Sequence, residues 1–165
     1  MKYVILIIIV VIFAYLGYGL STYYTNRKKF FNNLVFLFEK LNLEINFSQP
    51  KLISIMQEFN TQNQNKDICK LIKNYTSALE KNEEMEKTTL FKDIKILKDE
   101  EKNIIHLFFV GLGKLDVINQ TKQLDSQKIE LKKLEKTVEE ESKKYSPLYL
   151  KLGVILGLGV ALILL

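Results

Sequence analysis

The sequence is poor in the residues from which most active sites are built. Its single cysteine, Cys69, excludes an intramolecular disulfide framework and fits a reducing compartment. One histidine, His106, and one cysteine cannot assemble a familiar zinc site. No G-x-x-x-x-G-K-S/T stretch occurs, so the chain has no ordinary ATP site of its own. Tryptophan is absent, which leaves anchoring at a membrane surface to Tyr15, Tyr18, Tyr23 and Tyr24. No segment alternates apolar and polar residues as a strand does, so the expected fold is all-α.

Long apolar runs are present, and they lie at the two ends. Met1 to Tyr24 carries one charge, Lys2, and Leu148 to Leu165 carries one, Lys151. About 20 apolar residues at 1.5 Å rise cross a hydrocarbon core, so both runs are long enough to span, the second only just. A cleaved signal peptide is the rival for the first run. Its apolar stretch exceeds a usual h-region and no A-x-A-like site follows, which favours an uncleaved anchor. A helix as apolar on every face as the second run is also a poor fit to a soluble core. The expected organisation is a transmembrane helix over 1–24, a helical bundle over 25–147 and a transmembrane helix over 148–165.

Charge sets an expected orientation. Arg27, Lys28 and Lys29 follow the first run, and Lys143 and Lys144 precede the second. The positive-inside rule then puts the middle region in the cytoplasm and both termini outside. Setting aside Lys2 and Lys151 leaves 22 basic against 19 acidic residues, an excess too small and too dispersed to argue for nucleic acid.

Along the middle region, Phe30, Leu34, Leu37, Leu41 and Ile45 recur at helical spacing, which predicts a helix over 27–47, continuous with the first span or broken from it. Ser48-Gln49-Pro50 breaks it, and Leu52, Ile53, Ile55, Met56 and Phe59 mark a second helix. Asn60 to Lys66 reads as a polar loop, with Asp67 as N-cap of a third helix bearing Ile68, Leu71, Ile72, Tyr75 and Leu79. After the acidic run Glu80 to Glu86, a fourth helix is expected to carry Leu90, Phe91, Ile94 and Leu97. Asp99 is expected to cap a fifth, with Glu100 and Glu101 favoured by the helix dipole in its first turn. Ile104, Ile105, Leu107, Phe108, Phe109 and Leu112 make it the most apolar element away from the ends, and Gly111 and Gly113 end it. From Asp116 to Ser146 one narrow stripe (Leu124, Leu131, Val138, Tyr145) steps by seven, without the second apolar position a coiled coil needs. Pro147 marks a kink or joint before the last span. The sum is a cytoplasmic bundle of about six helices flanked by two transmembrane helices.

Each chemical candidate has a structural reading beside it. His106, in NIIHLFF, suits a satisfied core histidine, and Cys69 suits a small packing residue. Gly153 and Gly157 form a G-x-x-x-G that lets a second backbone approach, either the first span or another copy of the chain in a homo-oligomer; the alternative is that glycine is simply common in membrane helices. The Lys/Glu-rich face over 128–144 is either solvated, a partner surface, or close enough to the bilayer for its lysines to touch anionic lipid heads. Glu44 lies among Leu41, Leu43, Ile45 and Phe47, yet has no second titratable group at helical spacing for proton transfer. Capping of the helix after Pro50, or contact with a partner, accounts for it better. Catalytic, cofactor-binding and metal-binding residues are therefore all expected to be absent.

Several of these residues also occur in a familiar order. Arg27 follows the first span; then come Leu41-x-x-Glu44-Ile45-x-Phe47, a turn and Leu52, then Leu112-Gly113-x-x-Asp116-x-x-x-Gln120, a long charged helix and a glycine-bearing last span. In this order and length the chain resembles the stage III sporulation protein AB family of endospore-forming bacteria. It departs from the family pattern at Phe47, where tyrosine is usual, and at Pro50-Lys51-Leu52, where Thr-Pro-Leu is usual.

The resemblance implies a non-enzymatic membrane protein made in the mother cell. Its middle region would be similar to the platform protein of type II secretion and type IV pilus machines. The implied partners are a secretion-type ATPase and the other membrane subunits of a channel complex, with Glu44, Asp116 and Gln120 holding the bundle or the partner. Two rivals remain open at this point. A membrane enzyme would need a titratable cluster inside the bundle, and a membrane-tethered helical adaptor or signalling module outside sporulation would share the same composition.

Overall fold

The computed structural model describes residues 2–43, 49–112 and 117–164. Within them lie six helices and no strand: α1 (Lys2–Leu43), α2 (Gln49–Gln62), α3 (Lys66–Glu80), α4 (Lys87–Leu90), α5 (Asp99–Gly111) and α6 (Val117–Ile163). They form two compact units. Unit 1 comprises 1–28 with 137–165, and unit 2 comprises 29–136. The first and last helices contribute to both units and carry the two apolar end segments.

Unit 2 is organised around the apolar stripe of α1. Phe30, Leu34, Leu37 and Leu41 are buried as their spacing predicts, and Phe31 and Phe38 are buried beside them. Phe38 stacks on Phe108 of α5 with ring centroids 3.4 Å apart, and Tyr75 of α3 meets Phe109 at 4.7 Å. Leu52, Met56 and Phe59 of α2, with Ile68, Leu71 and Ile72 of α3, complete the core. Burial of a large apolar side chain contributes roughly 1.5–3 kcal/mol relative to exposure, so these residues dominate the unit's stability. In α5, Ile105, Phe108 and Phe109 face inward while Leu107 is 64% exposed. The helix is amphipathic, not apolar all round.

Four local expectations are corrected. First, α2 continues to Gln62, which shortens the expected 60–66 loop to three residues before α3. Second, the cap of α3 is Asn65 and not Asp67. The Asn65 side-chain oxygen accepts from the N–H groups of Asp67 at 3.0 Å and Ile68 at 3.2 Å, leaving Asp67 in the first turn. Asn63 fixes this loop by donating to Asn33 of α1 at 2.6 Å and accepting from the Asn65 N–H at 2.8 Å.

Third, the expected fourth helix stops at Leu90. The Asn74 amide donates to the carbonyls of Leu90 and Lys92, and Asp93 takes the left-handed conformation at φ 62°. Leu90, Phe91, Ile94 and Leu97 are nevertheless all buried, so the apolar spacing is served by a turn. Fourth, Lys98 and not Asp99 precedes α5, and the Glu101 carboxylate accepts from the Lys98 N–H at 2.8 Å. Pro147 stands inside α6 without ending it.

Tyr75 is 1% exposed, and among the described residues no group pairs with its buried hydroxyl. Burial pushes its phenol well above the ordinary range. Because an unpaired buried hydroxyl costs about 1–3 kcal/mol, Tyr75→Phe is expected to leave stability unchanged or raise it by about 1 kcal/mol. Thermal unfolding of the full chain in detergent measures this, and a clear loss of stability would contradict the packing described.

Candidate functional site

In unit 1, α1 and α6 lie antiparallel and meet through successive layers of contacts. The first layer is apolar. Tyr3, Val4, Ile5, Ile7, Ile8, Val11 and Ile12 of α1 are exposed, as are Ile155, Leu156, Leu158 and Leu162 of α6. A core helix of a soluble protein would bury such side chains. Both helices are long and apolar enough to cross a membrane.

Between them glycines replace side chains. A Cβ added to Gly153 would lie 2.7 Å from the Phe13 carbonyl oxygen and 2.9 Å from the Gly17 Cα. The reciprocal addition at Gly17 would lie 2.6 Å from the Tyr149 carbonyl oxygen. At Gly157 the nearest atom would be the Val10 Cα at 3.0 Å. These neighbours are mostly backbone and cannot rotate away, so glycine is required for the two helices to approach this closely. Gly153 and Gly157 thus face α1, whereas an addition at Gly159 would meet nothing within 4 Å.

Next comes a polar and aromatic layer. Ser21 and Ser146 share a hydrogen bond at 2.7 Å, and the Thr25 hydroxyl lies 3.2 Å from Ser146 while donating to the Ser21 carbonyl at 3.1 Å. The Tyr24 ring stacks on Tyr149 with centroids 5.6 Å apart and 12° between planes. Tyr145 lies 5.4 Å from Tyr24. Tyrosines of this kind carry an apolar ring and a polar tip, which suits the boundary between lipid and water.

The last layer is charged. Arg27, only 2% exposed, donates from Nη1 to the Glu141 carboxylate in an ion pair. A buried guanidinium is tolerable only when paired, so Glu141 is as necessary as Arg27. Beside it Lys28 donates to Glu139 at 3.1 Å and Lys143 lies 3.2 Å from the same carboxylate. The Lys28 hydrogen bond, followed by that from Lys143, holds the Glu139 carboxyl below the usual range.

Unit 2 repeats this pairing of the same two helices. Glu39 lies 2.9 Å from Lys132 and 4.0 Å from Lys128, and Asn42 donates to Asp125 at 3.5 Å. The Glu39 carboxyl is held below the usual range chiefly by the hydrogen bond from Lys132. Part of the charged 128–144 face is therefore occupied by α1. The sequence offered only a partial signal: Arg27 and Lys28 follow the first apolar run and Glu139 and Glu141 precede the second, with opposite charge.

The remaining expected site residues are placed unevenly. Glu44 and Asp116 lie outside the described residues. Gln120 is in the first turns of α6, with its side chain outside the description. His106 is half-buried, and its Nε2 donates to the Met85 carbonyl at 2.7 Å. The Cys69 thiol is directed at the Asn63 carbonyl, 3.3 Å away, and burial raises its pKa. Among the described residues no group of three or more His, Cys, Asp and Glu could hold a metal ion.

The glycine layer gives a direct test. Gly153→Ala is expected to destabilise the helix pair by about 1–3 kcal/mol through overpacking against backbone. Gly159→Ala, with open space around it, should stay within about 0.5 kcal/mol. Thermal midpoints of the two variants in detergent compare them, and equal effects would contradict the close approach.

The comparisons with known proteins extend over the whole of this arrangement. No curated protein and no solved structure matches the chain. The family model described as stage III sporulation protein AB matches residues 2–165, both apolar ends and the helical unit between them included. The chain belongs to the stage III sporulation protein AB family.

Proposed function

We propose that this chain is a non-enzymatic platform subunit of a secretion-like complex in the mother-cell membrane, required for endospore formation. In this reading the apolar parts of α1 and α6 anchor it in the bilayer, and the helical middle faces the cytoplasm. There it couples a secretion-type ATPase to the other membrane subunits. Family membership supports the sporulation role. The observation that carries the platform reading is the continuity of the two long helices. Each runs without a break from an exposed apolar segment into the helices of unit 2. A displacement applied to such a helix travels along its hydrogen-bonded axis and is not absorbed by a loop.

Other features support the same reading. The sequence has no nucleotide-binding loop, so a process driven by ATP hydrolysis needs a partner to supply it. Lys28 and Arg27 border one apolar segment and Lys143 and Lys144 the other, the charge placement expected for a cytoplasmic middle region. In sequence, the expected contact residue Glu44 follows α1, Asp116 precedes α6 and Gln120 lies within it. Within unit 2, Asn42 of α1 donates to Asp125 of α6.

Co-purification from sporulating cells tests the proposal. Tagged full-length chain should bring down the secretion-type ATPase, and Glu44→Ala should reduce its recovery about fivefold or more while the chain remains in the membrane. Recovery of the chain with other membrane subunits but never the ATPase would contradict the coupling role. Equal recovery with Glu44→Ala would contradict the role given to Glu44.

A further inference from the structure

Near the apolar end of α6 two lysines stand without an ion pair among the described residues, as does Glu140 one turn before the first of them. Arg27 and Glu141 pair, and Lys28 and Lys143 share Glu139. Lys144 and Lys151 make no ion pair among the described residues, and both are exposed. Lys144 lies over the Tyr145 ring, 5.2 Å from its centroid. Seven residues separate the two lysines, which in an α-helix means nearly the same face and about 10.5 Å along the axis. That face is turned away from α1, because Gly153, Gly157 and Ser146 occupy the side that meets it.

Lys151 is placed where a charge is otherwise costly, a few residues inside an apolar run of exposed Leu148, Leu150, Leu152, Val154 and Ile155. Side chains of an α-helix lean toward its N-terminus, so the Lys151 stem is directed back toward Lys144. A shallow open depression is lined by Leu150, Lys151, Val154 and Ile155. The surface therefore offers two ammonium groups without ion pairs, one of them over the Tyr145 ring, beside an apolar depression.

We propose that this face of α6 binds an anionic phospholipid. Its phosphate is held between Lys144 and Lys151, and an acyl chain lies in the depression beside Val154 and Ile155. Charge complementarity selects the anionic headgroup, and the apolar depression selects a lipid over a soluble phosphate. The proposal rests on the reading of α6 as a membrane span.

The test uses the full chain reconstituted into bilayers of phosphatidylcholine mixed with phosphatidylglycerol. Native mass spectrometry then counts the lipids retained. Wild type should retain phosphatidylglycerol preferentially. Each of Lys144→Gln and Lys151→Gln should reduce that preference about fivefold, and the double variant should abolish it. Lys151→Arg should keep it, as should Lys81→Gln in unit 2. A wild type without preference, or a double variant that keeps it, overturns the lipid site. Displacement of the lipid by glycerol 3-phosphate overturns it in favour of a free-phosphate site. Alkaline extraction of the same bilayers separates the two readings. A chain that washes out of both compositions contradicts the span itself, whereas one that stays inserted without lipid preference contradicts the lipid site alone.

Discussion

The backbone contact of α1 with α6 at Gly17 and Gly153 is the constraint on which unit 1 depends. Lipid is as apolar as leucine, so two helices in a bilayer gain little by burying large side chains against each other. Dispersion between closely approaching backbones can hold them, and that requires the side chains to be missing where the axes meet. Gly17, Gly153 and Gly157 meet this requirement. Once the helices are this close, Ser21 can reach Ser146, Tyr24 can stack on Tyr149, and Arg27 can reach Glu141. Each of those contacts needs the approach that the glycines permit.

Three layers succeed one another along the helix pair. Backbone and small residues make the contact at Gly17, Gly153 and Gly157, hydroxyls and tyrosine rings come next, and paired charges follow. The buried Arg27 shows why this order matters: its charge must be matched by Glu141 where solvent cannot do so. Unit 2 uses a different principle, a core of stacked aromatic rings and aliphatic side chains around the α1 stripe, with Glu39 and Lys132 at its surface. The same two helices therefore serve both units by changing which side chains they present.

Much of this could be read from the residues. Helical spacing located the α1 stripe and the cores of α2, α3 and α5, because burial imposes a 3.6-residue period that a reader can count. The apolar runs at both ends were legible for the same reason. Helix ends were less so. Asn65 outcompetes Asp67 as a cap, and Asn74 takes up carbonyls at the end of α4, through contacts that no local pattern announces. Pro147 looked like a joint, yet the turns of α6 on either side of it hold a single helix. The charge clasp of Arg27 with Glu141 spans 114 residues and depends on the antiparallel register, which sequence spacing alone does not specify. Glu44 and Asp116, which the resemblance implies as bundle or partner contacts, lie outside the described residues.

Every layered contact of unit 1 requires the antiparallel register of α1 and α6 inside one molecule. That register is tested most directly by replacing Ser21 and Ser146, whose hydroxyls are 2.7 Å apart, with cysteine in a Cys69→Ser background. Oxidation in native membranes is predicted to give an intramolecular disulfide, seen as a faster-migrating monomer that reduction reverses. Failure to cross-link, or cross-linking only between molecules, would contradict the register from which the layered contacts follow.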